Sequence, residues 1–153
     1  MFLNRVDLEV GQQLAPLTKT ITKEKIDLFE SVGTATLGNG SGQSGPVNIH
    51  TDPQKAAERG LTEPVASGQM SFAYLHELVA RRFGMDFRQG GDLTVTFLKP
   101  VYSGDVVTIH GAVSSKDVTD GRTSLVLEVW VENQREEKTA VGTAKVTVPS
   151  PLT

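Results

Sequence analysis

The chain contains no cysteine, which excludes disulfides, thiolate metal sites and cysteine nucleophiles. Aromatic residues make up only 6% of it and tryptophan occurs once. Charge of one sign is also scarce. The formal net charge is −3, and no block of like charges runs longer than Glu136-Glu137. Lys23-Glu24-Lys25 is interrupted by an acid and Arg81-Arg82 stands alone, so there is no electrostatic footprint for nucleic acid or an anionic lipid surface. No apolar run approaches the ~20 residues that span a bilayer. Met1 to Asp7 lacks the basic-then-apolar order of a signal peptide, and cytoplasm is the expected compartment.

What is present suits a globular protein. Hydrophobic residues at 38% and charged residues at 22% are a balance that folds. A length of 153 residues suits one domain, taken as 1–153, around one core. No internal repeat is visible.

Residues 20–32 are expected to form a short helix, with Thr22 as N-cap and Ile26 and Phe29 on one face. Residues 33–47 spread Gly33, Gly38, Gly40, Gly42 and Gly45 among Ser, Thr and Asn and are expected to be a loop, long enough to suggest function. Asp52-Pro53 reads as an N-cap followed by the first helical position, and that helix ends near Arg59-Gly60. Residues 67–83 carry the longest helical pattern. Met70, Ala73, Tyr74, Leu78 and Val79 cover most of its circumference, which predicts a buried helix ending at Gly84.

Beyond Gly91 the pattern alternates. Four strands are expected around Leu93–Phe97, Val107–Val113, Leu125–Val131 and Ala140–Val148, with turns at Ser103-Gly104-Asp105 and Asp120-Gly121. One long buried helix followed by antiparallel strands, with no parallel crossover, predicts an α+β fold in which a sheet wraps the helix.

The informative stretch is Val47-Asn48-Ile49-His50-Thr51-Asp52, continuing through Ala56-Ala57 to Pro64-Val65-Ala66-Ser67-Gly68-Gln69-Met70. It resembles the hydratase motif of the MaoC-like and R-specific enoyl-CoA hydratase family, Asp-x-Asn-Pro-x-His-x-Asp followed by Pro-Ile-Val-His-Gly-Met. Phe97-Leu98-Lys99-Pro100-Val101-Tyr102-Ser103-Gly104-Asp105 resembles that family's Phe-x-x-Pro-Val-x-x-Gly-Asp, and Val141-Gly142-Thr143-Ala144 its last strand. The resemblance covers residues 47–148 and implies a hot-dog fold, an antiparallel sheet around a long central helix. It also implies reversible hydration of a 2-enoyl thioester, carried by coenzyme A or acyl carrier protein. A homodimer or dimer of dimers is expected, with no cofactor, metal, nucleic acid or membrane.

In that chemistry a carboxylate and an imidazole converge on one water, and helix-start amides stabilise the enolate. His50 is the implied imidazole. Ser67, Gly68, Gln69 and Met70 are the implied substrate contacts, with the amides of Gly68 and Gln69 as the oxyanion site. The sequence departs from the family at several points, among them a longer stretch from Phe29 to His50 and Gln69 inserted before Met70. Gly45 stands where the family keeps its aspartate, with Val47 where it keeps asparagine. Ser67-Gly68 replaces His-Gly. A glycine does no acid–base work, so the partner of His50 is Asp52, an acid from elsewhere in the fold, or the Asn48 amide orienting water. Asp52 is read first as an N-cap, Ser67 likewise. His76 and His110 are read as packing or surface residues. Two further readings stand beside the hydratase: a thioesterase, disfavoured because residues 65–75 contain no carboxylate, and an acyl-thioester binder without catalysis.

Overall fold

A computed structural model describes residues 7–37 and 48–150. In chain order the elements are β1 (Leu17–Thr20), α1 (Lys23–Leu37), α2 (Pro53–Glu58), α3 (Gly68–Phe83), α4 (Met85–Gly90), β2 (Asp92–Phe97), β3 (Val106–Thr119), β4 (Arg122–Glu132) and β5 (Lys138–Pro149). The strands form one antiparallel sheet in the order β1-β3-β4-β5-β2. The expected α+β class, a sheet around one long helix, is what the chain adopts.

The period-2 alternation of β3, β4 and β5 places one apolar face inward. Val107, Ile109 and Val113, then Leu125, Leu127, Val129 and Val131, then Ala140, Ala144, Val146 and Val148 are all buried. Met70, Leu75, Leu78, Val79, Ala80 and Phe83 of α3 pack into that face, and α3 touches β2 through β5. A register shift between Val113 and Ser115 interrupts the β3–β4 ladder. Such bulges add bend and twist, and here they help curl the sheet. The β3–β4 hairpin closes on Asp120 and Gly121, both at positive φ (52° and 70°), the primed turn that matches strand twist.

Several sequence expectations are corrected. Thr20 belongs to β1, and the first helix runs from Lys23 to Leu37 rather than over 20–32. Thr22 does cap it, accepting from Lys25 N at 3.2 Å. Residues 33–37, expected as loop, continue that helix, since a helix already nucleated tolerates Gly33 at a cost of about 1 kcal/mol; residues 38–47 lie outside the described part. Two elements were not anticipated. β1 has four residues, too few for alternation to register, and α4 is one short turn-and-a-half after Gly84. Among the described residues the sheet therefore has five strands rather than four. Ala73, placed on the apolar surface of α3, is exposed.

Among the described residues β2 joins the sheet only through β5, and its end leads into Phe97, Lys99 and Val101. A Cβ on Gly142 would lie 2.2 Å from the Thr94 carbonyl oxygen, so glycine permits this strand pairing. Gly142→Ala must push two backbones apart. It is expected to cost about 1–3 kcal/mol, as overpacking does. Urea denaturation would measure this, and an unchanged midpoint and slope would refute the close-approach argument.

Candidate active site

The segment after residue 47 is short of regular structure but densely bonded. Asn48 O accepts from Thr51 N and Asp52 N at 3.3 and 3.0 Å. Asn48 Oδ1 accepts from His50 N at 2.8 Å and lies 3.4 Å from the Thr51 hydroxyl. Asn48 Nδ2 donates to Glu30 of α1 at 3.2 Å. The Asn48 amide thus uses both ends to shape the turn that presents His50. Asp52 Oδ1 accepts from Gln54 N and Lys55 N at 2.8 and 3.2 Å, which places this carboxylate on the first turn of α2.

A second segment zips onto the first. Val65 N donates to Ile49 O at 3.2 Å, and Ala66 N donates to Val101 O at 2.8 Å. Val65 and Tyr102 form an antiparallel bridge. The turn at Asp105 secures the far side: its carboxylate accepts from Tyr102 N at 2.9 Å and from Gln134 Nε2 at 2.8 Å. His50 is locked in this frame, with its Nδ1 2.8 Å from the Val65 carbonyl oxygen. A carbonyl only accepts, so Nδ1 carries the proton and Nε2 keeps its lone pair.

Three residues after Val65 the chain enters α3. Ser67 is the N-cap, its Oγ accepting from Gln69 N at 3.2 Å, and Ser67 O accepts from Met70 N at 2.9 Å. Among the described residues nothing accepts from Gly68 N–H. His50 and Gly68 share one cavity of about 250 Å³, with Ile49, Val65, Ala66, Ser71, Phe97, Lys99, Pro100, Val101 and Thr139 as its other walls. The Phe97 ring closes over Gly68, where an added Cβ would meet it at 3.0 Å. Among the described residues no aspartate or glutamate lines this cavity.

Of the residues singled out in the sequence, the structure brings His50 and Gly68 together in this wall. Asn48, Asp52, Ser67 and Gln69 stand behind it as turn and cap residues. Met70 faces a second, apolar cavity of about 310 Å³ between α1 and α3, bounded by Lys25, Leu28, Phe29, Val32 and Tyr74. Gly45 and Val47 fall outside the described residues. His76 packs against Phe87 and His110 stacks on Trp130, ring centroids 5.1 Å apart in each pair. Among the described residues no three histidine or carboxylate side chains gather as a metal site would require. Sequence reasoning missed Ser71, Lys99 and Thr139. Ser71 carried a signal, being a lone hydroxyl at i+3 from Gly68 in an otherwise apolar helix face.

The family model of the MaoC like domain matches residues 8–136, and the chain belongs to that family. The structure is similar to R-hydratase PhaJ1 from Pseudomonas aeruginosa in its unliganded form: 25% identity over 97% of this chain and 87% of that one, TM-score 0.71. It is also similar to the (R)-hydratase from A. caviae involved in PHA biosynthesis, at 24% identity over 94% and 98% of the two chains, TM-score 0.66. A MaoC-like dehydratase from Rhodospirillum rubrum matches over 100% and 99%, at 22% identity and TM-score 0.71. The fold is therefore the hot-dog. No curated protein matches the chain by sequence.

Lys99, at the cavity wall, is held in place from outside. Glu137 accepts from Asn133 Nδ2 at 2.9 Å, Lys99 Nζ at 2.8 Å and Arg135 Nε at 3.1 Å. The Asn133 bond, then the Lys99 and Arg135 bonds, lower its pKa from the ordinary 4.5 to about 2. A depressed carboxylate stabilises the fold fully above its unfolded value and loses that contribution as pH falls through its folded value. Wild type should therefore lose more of its thermal midpoint between pH 4.5 and pH 2 than Glu137→Gln does. Parallel losses in the two proteins would show that this cluster adds nothing.

Proposed function

We propose that the protein hydrates 2-enoyl thioesters reversibly, with His50 as the proton-transfer group and the Gly68 amide as a donor to the thioester oxygen. The observation that carries this reading is the His50–Val65 hydrogen bond, which leaves Nε2 basic in a cavity that also holds the start of α3. Family membership and the likeness to R-hydratases support the reaction type.

Water held at Nε2 attacks C3 of the enoyl group. Its proton passes to the imidazole as the C–O bond forms, and the electron pair of the C2–C3 double bond moves onto the carbonyl as an enolate. Gly68 N–H meets that developing charge at the positive end of the helix. The imidazolium then returns its proton to C2, so that one water has been added and His50 is restored. Dehydration is the same path reversed. Asp52 in this reading caps α2, and Asn48 fixes the backbone of His50 rather than holding the water. Met70 touches a substrate only where the acyl tail runs beneath α1. The thioester carrier is coenzyme A or acyl carrier protein.

A thioesterase is disfavoured, because α3 has no acid in its first turn and, among the described residues, no carboxylate lines the cavity. An acyl-thioester binder without turnover differs from the hydratase in one measurement, the loss of enoyl absorbance from crotonyl-CoA. His50→Ala is expected to lower the hydration rate about 10²–10⁴-fold, the usual contribution of one positioned proton-transfer group, with the thermal midpoint little changed. Wild-type turnover in that variant would remove His50 from the mechanism.

The expected homodimer belongs to the same reading. Among the described residues β2 presents an unpaired edge that ends at Phe97, with Leu98 just beyond it; the two are 52% and 53% exposed. An open apolar edge is a template for pairing with a second copy, and it lies beside the Phe97 wall of the cavity. Sedimentation at micromolar concentration should give a dimer or dimer of dimers; a monomer would count against this assembly.

A further inference from the structure

The hydratase reading leaves the oxyanion short of donors. Two helix-start amides were expected, Gly68 and Gln69. The Gln69 N–H is already bonded to Ser67 Oγ at 3.2 Å, and the Met70 N–H to Ser67 O. That leaves one amide for a charge that enzymes normally meet with several fixed donors.

Ser71 is in position to supply another. It lines the same cavity as His50 and Gly68 and is only 8% exposed. Its hydroxyl has no hydrogen-bond partner among the described residues and is not sealed from the cavity, so it is open to a ligand there. The common local outlet of a helical serine is the carbonyl four residues back. Here that is Ser67 O, which takes the Met70 N–H and receives no bond from the Ser71 hydroxyl. Serine is also an indifferent helix former inside a helix, so neither propensity nor packing calls for a hydroxyl here.

Geometry directs it toward the thioester. Residues i and i+3 share a helix face, and a helical side chain leans over the turn N-terminal to its own Cα. The Ser71 side chain therefore leans toward the level of Gly68, in the cavity wall that both residues share with the Phe97 ring. We propose that Ser71 Oγ–H is a second donor to the thioester oxygen, acting with Gly68 N–H, and is therefore a catalytic residue. This assignment rests on the hydratase reading.

The test compares wild type, Ser71→Ala and Ser71→Thr. Three quantities are read: kcat and KM for crotonyl-CoA hydration, the thermal midpoint, and the near-ultraviolet enolate band of bound acetoacetyl-CoA. That 3-oxoacyl thioester ionises to a chromophore only where its oxygen is stabilised. Ser71→Ala should lower kcat about 10²–10³-fold, as loss of one oxyanion donor does, with KM and the midpoint little changed and the enolate band reduced. Ser71→Thr, which keeps the hydroxyl, should restore rate and band. Wild-type kcat and band in Ser71→Ala would overturn the assignment while the hydratase reading stands. Equal losses in the alanine and threonine variants would overturn it too, because size and not the hydroxyl would then decide. A wild type that forms the band without turnover, the band being lost in Ser71→Ala, would keep the Ser71 contact and refute the hydratase.

Discussion

Everything in this molecule depends on α3 being buried against a curled sheet. Leu75, Leu78, Val79 and Phe83 are almost wholly removed from solvent, and truncating one such side chain typically costs about 2–5 kcal/mol. The surface ion pairs, such as Lys23–Asp27 and Lys55–Glu58, belong to a class worth about 0–1 kcal/mol each. The apolar contact therefore sets the architecture, and the ion pairs decorate it. It also has a functional consequence. A helix fixed along its length by packing has a fixed N-terminus, so the amide of Gly68 and the hydroxyl of Ser71 are held in place before any substrate arrives.

The rest of the site is brought to that fixed point by backbone pairing rather than by side chains. The Val65–Ile49 and Ala66–Val101 bonds stitch three otherwise irregular segments into a short extra ladder at the mouth of the sheet. His50 completes it with the bond from Nδ1 to Val65 O. One hydrogen bond of this kind contributes only about 0.5–1.5 kcal/mol to stability. Its larger effect is to choose the tautomer, since a ring whose Nδ1 proton is committed has its basic nitrogen on the opposite side.

The sequence made the fold legible wherever a period had room to repeat. β3, β4 and β5 each run for eleven residues or more, and their positions were legible from alternation alone. β1 was invisible because Leu17–Thr20 offers two alternations, and it exists only because β3 provides an edge. α4 was invisible because Met85–Gly90 is held by Phe87 entering the core, which is a tertiary contact. At the candidate site, the nearness of His50 and Gly68 in one cavity wall was legible because the motif names both. That Gln69 N–H is occupied could not be read, because capping geometry decides which amide remains free. Lys99 was quoted within a motif, yet its position depends on Glu137, thirty-eight residues away.

The replacement of His-Gly by Ser67-Gly68 has a cost and a return at the same helix turn. A serine N-cap stabilises a helix by about 1 kcal/mol and does so by taking an amide, here that of Gln69. Helix stability and anion binding compete for the same orphan N–H groups, because both draw on the few donors that the first turn leaves unpaired. A chain that caps its central helix from within must find its remaining donors elsewhere on the same face. The position one turn further, reached by a short side chain leaning back over a glycine, lies close by and needs no backbone change. In the proposed reaction a serine at position 71 would meet that requirement, where alanine or leucine would serve packing alone.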